Sequence, residues 1–119
     1  MGDRGNIAVK QWDGDAVFLY THWGGSEIGS VLQTALRKHW RWDDPAYLTR
    51  IVFDVLTAGE TGSETGYGIS TSPPDNEHPI LTVDTKAQTV SAEGIKSWTF
   101  EEFIALEDAN EAVNDKDYD

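Results

Sequence analysis

The sequence predicts an α+β fold in the order ββ-αα-βββ-α, an antiparallel sheet with two amphipathic helices packed on one of its faces. Three observations carry this prediction. Apolar and polar residues alternate on both sides of an Asp13-Gly14 turn, two helical stripes follow one another between residues 27 and 57, and a capping box opens at Thr99.

The alternation over residues 7–11 and 16–23 places Val17, Leu19 and Thr21 on one strand face and Phe18, Tyr20 and His22 on the other. An Asp-Gly pair between two such runs is a hairpin signal. Gly24-Gly25 ends the second strand. Ser26 then reads as an N-cap for a helix over 27–39, with Ile28, Val31, Leu32, Ala35 and Leu36 spaced three and four apart. Trp40-Arg41-Trp42 connects it to a second helix. There Asp44 is the cap, Pro45 takes the first turn, and Leu48, Ile51, Val52, Val55 and Leu56 form the stripe.

Residues 58–66, rich in Gly, Ser, Thr and Glu, read as a loop, and 67–71 as a short strand interrupted by Ser72-Pro73-Pro74-Asp75-Asn76. Residues 80–84 and 88–92 pair around Thr85-Lys86-Ala87 as a further hairpin. Thr99 and Glu102 then make the capping box, with Trp98 and Phe103 placed as its hydrophobic staple. One domain over 1–106 results, followed by an acidic tail, 107–119, expected to fray. Phe18 and Tyr20 on the second sheet face call for some cover there.

Charge is the unusual property of the chain. Twenty-one acids face nine Lys and Arg, a formal net charge of −12. The acidity is spread through the domain as well as the tail, so nucleic-acid backbone and anionic membrane are poor direct partners. Three readings compete: high solubility, adaptation to a salty cytoplasm, and mimicry of nucleic-acid charge. Five Lys beside eleven Thr favour the second over the third. No cysteine is present, which removes disulfides, thiolate nucleophiles and Cys-rich zinc sites. No apolar run approaches membrane-spanning length and no apolar leader opens the chain, so a cytoplasmic location is expected.

Several blocks are distinctive: Met1-Gly2-Asp3-Arg4-Gly5-Asn6-Ile7, Tyr20-Thr21-His22-Trp23-Gly24-Gly25, Arg41-Trp42-Asp43-Asp44 and Asp75-Asn76-Glu77-His78-Pro79. They resemble a family of small proteins of actinobacteria, haloarchaea and tailed phages with an MGxRxNI start and a THWGG block. A shorter phage branch of the family carries HWNGG. The resemblance implies a shared fold up to about Leu106 and, since the family has no established activity, no mechanism.

Three constellations could carry chemistry. Gly24, Gly25 and Ser26 enter a helix, where exposed amides hold anions, and Arg4 on the neighbouring strand could assist; against this, Ser26 and Glu27 already serve the helix start. His22 with Asp75, Asn76 and His78 offers groups for acid–base work near neutrality, although no recognisable catalytic turn accompanies them and Asp-Asn after two prolines is ordinary turn chemistry. Trp40, Arg41 and Trp42 could stack on a base or form a protein-binding hot spot, with packing over the sheet edge as the plainer role, and Trp23 counts with His22 among the ligand-binding candidates. No metal site and no cofactor are expected. The leading reading is a small acidic binding or interaction protein, of viral or mobile-element type, whose partner is a protein or a small anionic ligand. The alternatives are a small enzyme acting on an anionic or nucleotide-like ligand at Arg4, His22, Gly24, Gly25 and residues 75–78, and a charge mimic.

Overall fold

The alternation of residues 5–10 and 16–21 forms β1 (Gly5–Lys10) and β2 (Ala16–Thr21), antiparallel in the register Ile7 to Leu19. Gly14, at φ 91°, makes the turn that an L side chain resists. The computed structural model describes residues 2–60, 62–93 and 96–114. Within them the order continues through α1 (Ile28–Leu36), α2 (Pro45–Thr57), β3 (Tyr67–Ser70), β4 (Leu81–Asp84), β5 (Thr89–Ala92), β6 (Lys96–Thr99), α3 (Phe100–Ile104) and α4 (Ala109–Asn114).

The sheet has six strands in the order β3-β2-β1-β4-β5-β6. The expectation of an all-antiparallel sheet is wrong, because β1 and β4 pair in parallel, Ile7 beside Leu81 and Val9 beside Val83. The cause is topological. β3 lies beyond β2 and runs parallel to β1, so residues 71–80 must carry the chain across β2 and β1 to reach β4. They cross on the face away from the helices. There Asn6 donates through Nδ2 to the Asp75 carbonyl (3.1 Å) and to Asn76 Oδ1 (3.0 Å). This crossing explains why Asn6 and Ala8 are buried on a face with no helix. It also brings Asp75 and Glu77 near Tyr20 on that face.

Two further elements depart from the expected order. β6 is a strand that Thr99 ends while also capping α3, so one residue serves two elements. α4 occupies part of the segment expected to fray: Ala109, Ala112 and Val113 are buried against α1. Three small apolar groups at helical spacing outweigh the acids around them. Residues 115–119, the end of the expected tail, lie outside the described residues.

The core fills the space between the helices and the inner sheet face, with Ile7, Val9, Leu19, Leu81, Val83 and Val90 from the strands and Leu32, Leu36, Leu48 and Val52 from the helices. Asp44 caps α2 through the amides of Ala46 (3.1 Å) and Tyr47 (3.2 Å), with Pro45 in the first turn, and Ala58 in the left-handed region ends it. α1 differs from its expected span of 27–39. Ser26 sits in a 3-10 turn, Gly25–Glu27, and its side chain does not cap the helix. Asn110 of α4 takes that role from afar, accepting from the Ser30 amide at 2.7 Å. Buried Gln33 in turn donates to the Phe103 (3.2 Å) and Leu106 (2.8 Å) carbonyls at the end of α3. The capping box and the Trp98–Phe103 staple are both present, the two rings edge to face with centroids 5.4 Å apart.

Candidate functional site

Residues 2–6 run beside the strand–helix turn and sort the candidate side chains to opposite faces. Asp3 points to the helix side. Its Oδ2 accepts from the Ser26 amide (2.9 Å), its Oδ1 bonds His78 Nε2 (2.5 Å), and its carbonyl accepts from the Gly25 amide (2.7 Å). The bond to His78, then those to Ser26, pull the Asp3 carboxyl down to about 2. Gly25 is obligatory by sterics, since a Cβ there would lie 2.7 Å from both the Asp3 carbonyl oxygen and His78 Cδ2.

These bonds use up the amides that would have held an anion. The Gly24 amide donates to Thr21 Oγ1 (3.1 Å), Gly25 and Ser26 donate to Asp3, Glu27 donates to the Gly24 carbonyl, and Ile28 to that of Gly25. The backbone of 24–28 presents no open amide. Arg4, on the opposite face, is held by Asp75 and Glu77 at 3.2 Å each, and its amide donates to Glu77 Oε1 (2.8 Å). That amide bond, followed by the guanidinium, holds the Glu77 carboxyl below its ordinary range. Two carboxylates on one guanidinium leave little positive charge for a ligand. The geometry therefore does not favour an anionic ligand at Arg4, Gly24, Gly25 and Ser26.

The histidines also have separate partners. His78 bonds Asp3, His22 Nδ1 shares a 2.7 Å hydrogen bond with the Tyr20 hydroxyl, Asp75 bonds Arg4, and Asn76 bonds Asn6 and the His78 carbonyl. No His–Asp pair of the expected kind forms among His22, Asp75, Asn76 and His78. The acid–base constellation that the sequence suggested is divided among these separate contacts.

What the structure does assemble is an aromatic cleft. Tyr20, His22, Trp23, Thr65, Gly66 and Tyr67 line a hollow of about 420 Å³. Trp23 stands 58% exposed at its mouth, with His22 edge-on to it at 5.0 Å. Gly66, at φ 109°, passes so close beneath the indole that a Cβ would lie 2.9 Å from Cζ3. Its carbonyl accepts from the His22 amide (2.9 Å), tying the loop to β2. Desolvation raises the Tyr20 hydroxyl, and a hydrogen bond to Glu60 (2.9 Å) raises that of Tyr67. Of these residues sequence reading singled out His22 and Trp23. Tyr20 shares a face with His22 by strand alternation and was in principle legible. The approach of Gly66 and Tyr67 depends on β3 pairing back onto β2, which no local pattern announces.

The second aromatic set is mostly structural. Trp42 donates through Nε1 to the Leu36 carbonyl (3.0 Å), stacks on His39 and packs edge-on against Phe100. Arg41 lies over the Tyr47 ring at 4.2 Å and is 3.9 Å from Asp44, while Trp40 is exposed beneath the Lys38 ammonium. Arg41 is therefore already occupied by Tyr47 and Asp44, and of the two indoles Trp40 is the exposed one, with Lys38 over its ring.

Among the described residues no three His, Asp or Glu side chains are grouped so as to hold a metal ion, and no helix is long and apolar enough to cross a membrane. Compared with known proteins, the chain matches no family model, no curated protein and no solved structure. The resemblance of the MGDRGNI and THWGG blocks accordingly rests on those residues alone.

Proposed function

We propose that this chain is a non-enzymatic binding protein whose Tyr20–His22–Trp23–Gly66 cleft receives a cationic side chain, Lys or Arg, from a basic segment of a partner protein. The observation that carries the reading is the exposed Trp23 indole, positioned by Gly66 and His22 in a hollow beside Tyr20, on a chain of net charge −12. An aromatic face attracts a cation through its quadrupole, and an acidic surface steers one toward it. The charges beside the cleft agree: Asp75 and Glu77 outnumber Arg4 near Tyr20. Catalysis draws no comparable support, because His22 and His78 keep different partners.

The test is calorimetric titration with a lysine- and arginine-containing peptide, using a glutamate-containing peptide of equal length as control. The basic peptide should bind more weakly as salt rises. Trp23→Ala should lose about 1–2 kcal/mol, roughly five- to thirty-fold in Kd, with an unchanged circular dichroism spectrum. Equal binding by the variant, or preference for the acidic peptide, would remove the cleft from the account.

A further inference from the structure

Of the two margins of the sheet, β3 and β6, the β3 margin carries the weaker protection among the described residues. β3 pairs with β2 on one side, and among the described residues nothing pairs with its other side. The His22 amide bonds the Gly66 carbonyl, and the register places Tyr20 opposite Gly68. Gly66, Gly68 and Ser70 therefore direct their amides and carbonyls inward to β2, while Tyr67 and Ile69 direct theirs outward. An outward row of this kind is a template for another strand, and proteins usually blunt it with Lys, Pro or a charge.

Here that protection is missing where it would be expected. Residues 65–74, Thr-Gly-Tyr-Gly-Ile-Ser-Thr-Ser-Pro-Pro, carry no charge, in a chain of which 25% is charged. The prolines come only after the strand. The Ile69 side chain is 62% exposed on the inner sheet face, beyond the cover of the helices. The opposite margin, β6, contains Lys96 and leads directly into Glu101 and Glu102.

We infer that β3 pairs with β3 of a second copy, antiparallel and centred on Gly68, joining two six-stranded sheets into one. The occupant follows from charge and symmetry. Two chains of net charge −12 repel, and that repulsion is weakest along a strand whose own residues carry no charge, as residues 65–74 do not. Antiparallel pairing about Gly68 sets the outward groups of Tyr67 opposite those of Ile69 in the other copy, and the reverse, giving four backbone hydrogen bonds. It also sets each Ile69 side chain beside a Tyr67 ring, a favourable cross-strand pair. A strand edge alone buries less than the ~1,000 Å² of a stable interface, so the dimer is concentration-dependent.

Sedimentation equilibrium of the whole chain over a range of concentrations and salt tests this. The dimer fraction should rise with concentration and also with salt, as screening relieves repulsion. That sign is opposite to the one expected for basic-peptide binding, so the two proposals fail separately. Ile69→Lys, at an exposed position, should keep the fold by circular dichroism and leave only monomer. Gly68→Cys adds a side chain in ordinary contact with Tyr20, 3.8 Å away, and introduces the chain's sole thiol. Under mild oxidation it should cross-link far faster than Thr34→Cys on the exposed side of α1. A chain that stays monomeric at high concentration and salt overturns the inference. So does a dimer that tolerates Ile69→Lys, or cross-linking no faster at position 68 than at 34.

Discussion

Gly29 of α1 and Ala109 of α4 meet backbone to backbone: a Cβ on Gly29 would lie 2.6 Å from the Ala109 carbonyl oxygen. The neighbouring Ser30 amide donates to Asn110 Oδ1, so the start of α1 is both packed and capped by a segment 80 residues away.

Gly29→Ala should therefore destabilise the protein, although the same change in a free helix is favourable by up to ~1 kcal/mol. The clash is with backbone, which cannot rotate aside, and a net loss of about 1–3 kcal/mol is expected. Denaturant unfolding gives the magnitude. Hydrogen exchange should show the amides of α4 losing protection before those of the sheet. A stabilised variant would mean that α4 does not dock as described.

Gln33→Leu keeps the size of a buried side chain but removes the donor to the Phe103 and Leu106 carbonyls. Leaving those acceptors unpaired should cost about 1–3 kcal/mol. The helical signal of α3 should weaken more than that of α2. If the variant is as stable as the parent, the end of α3 finds other partners.

Asp3 makes the stability depend on pH in a defined direction. Its carboxyl titrates at about 2 in the folded chain against an ordinary value of 3.8, so the folded state favours the ionised form. That contribution is present above the ordinary value and is lost as pH falls through the folded value. Asp3→Asn retains an acceptor for the Ser26 amide without the charge. The stability gap between parent and variant should narrow between about pH 4 and pH 2 in urea titrations. Parallel curves over that window would contradict the bonding of Asp3.

Much of the fold was legible because its signals are local. Asp13-Gly14 made a hairpin, Asp44-Pro45 opened a helix, and Thr99 with Glu102 capped one. What was hidden depends on contacts far apart in sequence. Nothing near Ile7 announces a parallel neighbour at Leu81, and Lys96–Thr99 is short and shares Thr99 with the next helix. α4 was obscured for a different reason: its acids suggested disorder, while Ala109, Ala112 and Val113 already stood at helical spacing. At the site, chemistry-bearing residues were identified but not their partners. Asp3, which sequence reading did not single out, bonds both the Ser26 amide and His78.

Gly66→Ala should disturb the cleft without unfolding the domain. Its φ of 109° disfavours an L side chain, and the new methyl would press on the Trp23 ring from 2.9 Å. The indole should be displaced and the basic peptide bound more weakly, roughly as in Trp23→Ala. Tryptophan fluorescence and calorimetry read the two effects. Unchanged affinity would separate the Gly66 contact from binding.

The most direct measurement is an NMR titration that follows the Trp23 indole amide as the lysine- and arginine-containing peptide is added. Saturable shifts at Trp23, together with the backbone amides of Thr65 and Gly66, and little change at Trp40, are the expected result. Shifts that gather at Trp40 and Arg41, or an unmoved Trp23 at saturating peptide, would contradict the assignment of the cleft as the binding site.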